Sequence, residues 1–170
     1  MEKIGKFLEQ KPHFTPMVVC YLREGDNVLL GLRKKVSSGF AENLISGIGG
    51  KVGDKIEYAD ETEEEALIRE AQEEIGVKIL RYKRIGTIRF IFSHKPKWNQ
   101  IVYIFIVDHW EGEPKETEVI KPIWFRKTQL PLQQMWDDNA YWVPKVLAGE
   151  KIDAVFLLGE DNKVVEYKYL

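Results

Sequence analysis

One cysteine, Cys20, stands among the 170 residues. A single thiol closes no intramolecular disulfide and builds no thiolate metal cluster, so a reducing cytoplasm is the expected compartment. No apolar run approaches the ~20 residues of a membrane span, and the N-terminal segment lacks the apolar stretch of a secretion signal. No membrane partner is expected. A basic excess is missing too: 25 Lys and Arg face 27 Asp and Glu, a formal net charge of −2. Stable nucleic-acid binding normally shows as a basic surface and is not expected here, so any phosphate-bearing ligand must be small and handled locally. Repeats, low-complexity tracts and Pro/Gly/Ser linkers are absent, which favours one domain; a monomer is expected. There is no Gly-x-Ser-x-Gly elbow or P-loop, and His13, His94 and His109 are scattered without metal-ligand spacing. What remains is 44% hydrophobic and 31% charged, a globular balance that excludes bulk disorder. The 12% aromatic share fills a core and leaves rings for a flat ligand.

Residues 1–13 read as a polar extension with a helical turn around Ile4, Phe7 and Leu8, leaving 14–170 as the domain. The β-rich runs 16–22 and 27–32 flank Arg23-Glu24-Gly25-Asp26, a turn composition, and predict a hairpin. Cys20, inside the first run, is expected to be an inert core thiol. A polar loop leads to Gly47-Ile48-Gly49-Gly50. Further strands are predicted at 85–92, 101–107, 120–126, 152–158 and 163–169. Helices are predicted from Asp60 to Gly76 and from about 138 to 148, the latter carrying a disruptive Pro144. Many strands with two interspersed helices define a mixed α/β sandwich.

The first of these helices is the informative one. Thr62 with Glu65 forms a capping box, Glu63 to Glu65 suit the positive end of the dipole, and Gly76 provides a left-handed cap. Glu70, Glu73 and Glu74 stand at i, i+3 and i+4, so three carboxylates share one face near the end where the dipole disfavours anions. Helix stability does not recommend that spacing. A hard divalent cation does, because Mg²⁺ and Mn²⁺ take oxygen ligands.

Gly47-Ile48-Gly49-Gly50-Lys51-Val52, then Glu61, then Arg69-Glu70-Ala71-Gln72-Glu73-Glu74-Ile75-Gly76-Val77 resembles the Nudix box of hydrolases acting on nucleoside diphosphates linked to another moiety. From Glu61 to Val77 the match is complete. Ten residues rather than the family's five separate Gly50 from Glu61, so the loop containing 53–60 carries an insertion. The resemblance implies the Nudix fold, a mixed β-sheet in an α/β/α sandwich, and a Mg²⁺ cofactor that Mn²⁺ can replace. It implies Glu70, Glu73 and Glu74 as metal ligands, with one of Glu73 and Glu74 as the water-activating base and a carbonyl of the Gly49-Gly50 turn as a further ligand. Arg69, paired with Glu61, would orient the glutamates, and Lys51 would meet the substrate phosphates.

Beyond the box, Gly31, the GGKV run, Gly86 to Phe92 and Met135-Trp136-Asp137-Asp138-Asn139-Ala140-Tyr141-Trp142-Val143-Pro144 resemble the human-type MutT homologues, the oxidised purine nucleoside triphosphatases (8-oxo-dGTP diphosphatases). That resemblance implies hydrolysis of an oxidised purine nucleoside triphosphate to monophosphate and pyrophosphate, a sanitation step in DNA repair. Trp136 would stack on the purine while Asp138 bonds its edge. Phe90, Phe92 and Phe40 would wall the pocket, Arg33 would contact substrate, and Tyr141 and Trp142 would pack. This chain departs from the pattern at Asn139 (an aspartate there) and Ser46 (an asparagine). A pocket methionine becomes Asn99 or Gln100, and a late accessory metal glutamate becomes Val119, leaving Glu118 or Glu116 to replace it.

An ionised Asp138 only accepts hydrogen bonds, whereas the Asn139 amide donates and accepts without protonation, a pair suited to a guanine-type lactam. Two aspartates sharing a proton would also admit 2-oxoadenine, so Asn139 predicts a narrower, guanine-type preference. The alternative is the same fold acting on an unmodified nucleotide, a dinucleoside polyphosphate or capped RNA. A catalytically silent sensor is expected to lose box carboxylates, and this chain retains them all.

Overall fold

The computed structural model describes residues 2–34 and 43–170. Among them, nine strands form one mixed sheet in the order β3-β2-β1-β6-β5-β8-β9, with β4 on β1 and β7 on β2. The strands are β1 (Thr15–Glu24), β2 (Asn27–Arg33), β3 (Ile45–Ser46), β4 (Ile48–Lys51), β5 (Lys78–Phe92), β6 (Gln100–Glu111), β7 (Ile120–Arg126), β8 (Ile152–Leu158) and β9 (Val164–Tyr169). The helices are α1 (Lys3–Glu9), α2 (Glu63–Ile75) and α3 (Asn139–Leu147). The pairs β1–β6 and β5–β8 are parallel and the rest antiparallel.

Alternation along the strands sends side chains to two opposite faces. Val19, Tyr21, Ile104, Ile106, Ile88, Phe90, Ala154 and Phe156 share one face, covered by Trp142, Val143, Val146 and Leu147 of α3. Val18, Cys20, Leu22, Phe105 and Val107 share the other, beneath Ala66, Leu67, Ala71 and Ile75 of α2. Farther along that second face Ile4 of α1 packs on Ile91, Val155 and Leu157, so the N-terminal extension is docked on the sheet. The result is the expected α/β/α sandwich. Among the described residues no helix is long and apolar enough to cross a membrane.

Three sequence expectations need correction. The hairpin exists only at its mouth, where Arg23 faces Val28 and Glu24 faces Asn27. Beyond it β1 turns to β4 and β6, while β2 pairs along its length with β7. The Gly49-Gly50 run is a strand rather than a turn, because Gly49 lets β4 press against β1: a side chain there would collide with the Val18 carbonyl. Finally, β5 starts at Lys78, not 85. Its register shifts near Arg81 and Arg84 break the two-residue alternation, leaving a charged stretch that does not read as a strand. Pro144 sits inside α3, which runs through it to Leu147.

Candidate active site

Helix α2 is built as its sequence requires. Thr62 Oγ1 accepts the Glu65 amide at 3.2 Å, and Gly76 closes the C-terminus in the left-handed region at φ 70°. Ala66, Leu67, Ala71 and Ile75 anchor one face in the core. This leaves Glu70 and Glu74 at the rim of that face, each only 8% exposed, against β4. Gly50 makes the approach feasible, because any side chain there would overlap the Glu70 carboxylate.

Arg69 organises the cluster. Its Nε donates to Glu61 Oε2 at 3.0 Å and its Nη2 to Glu61 Oε1 at 2.6 Å and to the Lys51 carbonyl at 3.0 Å. Nη1 donates to both Glu70 Oε1 and Glu73 Oε2 at 3.1 Å. The Arg69 bond holds the Glu61 carboxyl below its usual range, helped by a 2.8 Å bond from the Gly53 amide. Glu74 Oε2 accepts the Gly49 amide at 3.3 Å, and Glu74 Oε1 lies 3.5 Å from Arg33 Nη2. Burial pushes Glu70 above its usual value. Burial, reinforced by the Glu70 charge, takes Glu74 to about 7 against the opposing pull of Arg33 and the Gly49 amide. At the end of α2, Thr117 Oγ1 donates to the Glu74 carbonyl at 3.1 Å.

Among the described residues no three acidic, His or Cys side chains form a ready-made ion cage. Glu70 and Glu74 point into the rim, whereas the Glu73 carboxylate is 44% exposed and turned to Arg69. The donor set nevertheless fits a hard divalent ion. Two desolvated carboxylates whose charged forms are disfavoured by burial and by neighbouring carboxylates are stabilised by a nearby cation. Glu118 is exposed in the turn before β7, and Glu116 is held by Lys34 at 2.6 Å. Lys51 is exposed, its carbonyl engaged by Arg69.

The residues that the resemblance assigns to the purine gather on the α3 face. Asp138 is buried, and its Oδ2 accepts both Trp142 Nε1 at 2.8 Å and Asn139 Nδ2 at 3.2 Å. Burial raises its carboxyl to about 6, the Trp142 bond opposing the rise. Asn139 is buried beside it and Trp136 is half-buried. Phe90 stacks on Phe156 at 5.8 Å, and Phe92 meets Trp98 edge-on at 5.7 Å. Asn99 is buried, and its Oδ1 accepts the Phe92 amide at 2.8 Å, so it supports the strand. Ser46 Oγ donates to the Gly47 carbonyl at 3.0 Å. Phe40 lies outside the described residues.

One segment connects the two halves. A side chain at Gly47 would strike Val19 and Tyr21, and Tyr21 packs edge-on against Trp142 at 6.2 Å. Three residues later Gly50 touches Glu70. Residues 46–50 therefore run from the Asp138 side to the carboxylates, about 13 Å at the usual strand rise. Sequence reasoning missed Trp142 as an orienting donor, although its i+4 spacing from Asp138 was a readable signal. It also missed Thr117 and Tyr58, whose ring lies 4.4 Å from the Arg69 guanidinium; neither has a local sequence signature. Cys20 is buried as expected. The surface depression lined by Arg84, Gly86, Lys151 and Leu170 contains none of the candidate catalytic, metal or substrate-binding residues.

A capped acidic helix against a glycine strand, inside this sandwich, defines a class, and the NUDIX domain family model matches residues 13–146. The chain belongs to the NUDIX family. It is 34% identical over 140 residues to the oxidized purine nucleoside triphosphate hydrolase of Mus musculus, covering 82% of this chain and 84% of that protein. Identity to its Danio rerio counterpart is 36% over 141 residues, covering 83% and 85%. The NAD-capped RNA hydrolase NudC of Pseudomonas aeruginosa is more distant, at 29% over 73% of this chain and 40% of its own length. The MutT protein of Bacillus halodurans shares the fold with a TM-score of 0.73 at 22% identity, covering 92% of this chain and 97% of that one.

Proposed function

We propose that this protein hydrolyses oxidised purine nucleoside triphosphates of the 8-oxo-dGTP type to the monophosphate and pyrophosphate, with Mg²⁺ as cofactor and Mn²⁺ as its substitute. The observation that carries the reading is the Asp138 carboxylate, oriented by Trp142 and Asn139 and joined through residues 46–50 to buried Glu70 and Glu74. Vertebrate relatives named for that substrate class, matched over four-fifths of the chain, support it. Glu70, Glu73 and Glu74 would hold the ion, joined by a Gly49 or Gly50 carbonyl and, in place of the accessory glutamate, Glu118. A bound divalent ion polarises phosphoryl oxygens and lowers the pKa of water.

The chain's own residues do the rest. Asp138 Oδ2 is already occupied by two donors, which leaves its other oxygen and the Asn139 amide for the lactam edge of a guanine-type base. Trp136, Phe90 and Phe92 supply flat apolar surface, and Ser46 sits at the start of the connecting segment. Arg33 and Lys51 supply positive charge beside the phosphates. Arg69 holds Glu70 and Glu73 by two bonds from one nitrogen, fixing where their oxygens stand.

Product analysis with Mg²⁺ across a panel of 8-oxo-dGTP, 2-oxo-dATP, dGTP, a dinucleoside polyphosphate and NAD-capped RNA tests the reading: a triphosphate yields a monophosphate and pyrophosphate, whereas the last two yield two phosphate-bearing fragments and no pyrophosphate. Turnover concentrated on 8-oxo-dGTP and abolished by Glu74→Gln is the expected result. Turnover concentrated on the capped RNA or the dinucleotide would transfer the assignment to the other substrate class.

A further inference from the structure

The insertion before the acidic helix is not a bystander. It folds as a loop with a 3-10 turn at Ile56–Tyr58, tied to Glu61 by the Gly53 amide on the Glu61 carboxylate and by the Glu61 amide on the Tyr58 carbonyl at 2.9 Å. Those ties bring the half-buried Tyr58 ring over Arg69, with the guanidinium carbon 4.4 Å from the ring centroid. Asp54 of the same loop adds a carboxylate 3.7 Å from Arg69 Nη2. Arg69 has bonds to acceptors in its own plane: Glu61, Glu70, Glu73 and the Lys51 carbonyl. In-plane bonds fix the fork against sliding but leave it free to tilt. A ring against its face restricts the tilt, and cation–π attraction is strongest in that stacked geometry.

We propose that Tyr58 is a positioning residue, supplied by the insertion, that clamps the face of Arg69 and so holds Glu70 and Glu73 in place for the divalent ion. The inference rests on the reading of α2 as a metal-binding helix. Neighbouring Ile56 is 95% exposed, so Tyr58 is the aromatic contact the insertion brings to Arg69, beside the Asp54 carboxylate.

The test is Mn²⁺ titration of the metal-free full chain, followed by electron paramagnetic resonance of free Mn²⁺, alongside kcat and KM for pyrophosphate release. Tyr58→Leu keeps bulk but loses the π face, and should weaken Mn²⁺ binding about three- to tenfold, the range of a partly desolvated cation–π contact. It should lower kcat with little change in nucleotide KM, while Tyr58→Phe restores both. In an Arg69→Lys background, where no planar fork remains to be clamped, Tyr58→Leu should add no further loss. That background separates the proposal from a general weakening of the loop, which thermal unfolding monitors independently. Unchanged Mn²⁺ affinity in Tyr58→Leu overturns the proposal while leaving the metal reading intact, as does an undiminished loss in the Arg69→Lys background. A parent chain that binds no Mn²⁺ overturns both.

Discussion

At the scale of single residues the site is defined by two carboxyl groups that burial keeps from ionising freely. Glu74 is raised from 4.5 to about 7 by desolvation and the neighbouring Glu70, and Asp138 from 3.8 to about 6 by desolvation. Below pH ~4.5 Glu74 is protonated in both folded and unfolded chains and has no effect on stability. Between about 4.5 and 7 the folded chain retains a proton that the unfolded chain has released, so stability falls as pH rises, then levels off. Asp138 contributes in the same direction over a lower window. The metal-free protein should therefore lose thermal stability from pH ~5 to ~7.5. Glu74→Gln should flatten the upper part of that slope, and Mg²⁺ should restore the midpoint at pH ~8; calorimetry across pH with and without Mg²⁺ checks all three. On the base side, Asn139 cannot share a proton with Asp138. We expect kcat/KM for 8-oxo-dGTP to exceed that for 2-oxo-dATP by at least ~100-fold, because a wrong base leaves buried polar groups unpaired. Asn139→Asp should narrow the gap, as read by the two kcat/KM values.

At the scale of elements, α2 carries three demands at once: an apolar face for the core, a capped N-terminus and a carboxylate rim. Only the third belongs to the proposed chemistry, which predicts that the first two can be weakened separately from turnover. Thr62→Ala removes the cap bond and should cost about 1 kcal/mol, seen as a midpoint lower by roughly 2–4 °C for a chain of this size. Its kcat should stay at the parent value. The helix was legible in the sequence because cap, period and C-terminal glycine agree on the same boundaries. β5 was legible only from residue 85 because its bulges interrupt the alternation before that point. The hairpin forms only at its mouth, since local turn chemistry fixes that end while the partners that take over, β4, β6 and β7, pair at separations running from Cys20–Ile48 to Asn27–Arg126, far beyond the reach of a turn. The insertion was visible as a count of residues, but its ring over Arg69 depends on a loop path that no spacing encodes.

At the scale of the molecule, the sheet is a divider. Its α2 face ends in the carboxylate rim and its α3 face in the Asp138 cluster, with residues 46–50 running between them. Near-neutral net charge is consistent with this layout, since the acidic rim is matched locally by Arg33 and Arg69 rather than by a basic surface. The residue types of both halves were readable in the sequence, but their orientation was not. The Asp138–Trp142 bond and the turning of Glu73 toward Arg69 arise only once the chain is packed. The account's central claim is that the two halves serve one oxidised purine nucleoside triphosphate, and steady-state hydrolysis with Mg²⁺, read as loss of substrate with product analysis, of 8-oxo-dGTP beside dGTP and NAD-capped RNA tests it most directly. The account predicts that 8-oxo-dGTP is cleaved to the monophosphate and pyrophosphate with the highest kcat/KM of the three. Equal or faster cleavage of the capped RNA, or no pyrophosphate from 8-oxo-dGTP, would contradict it.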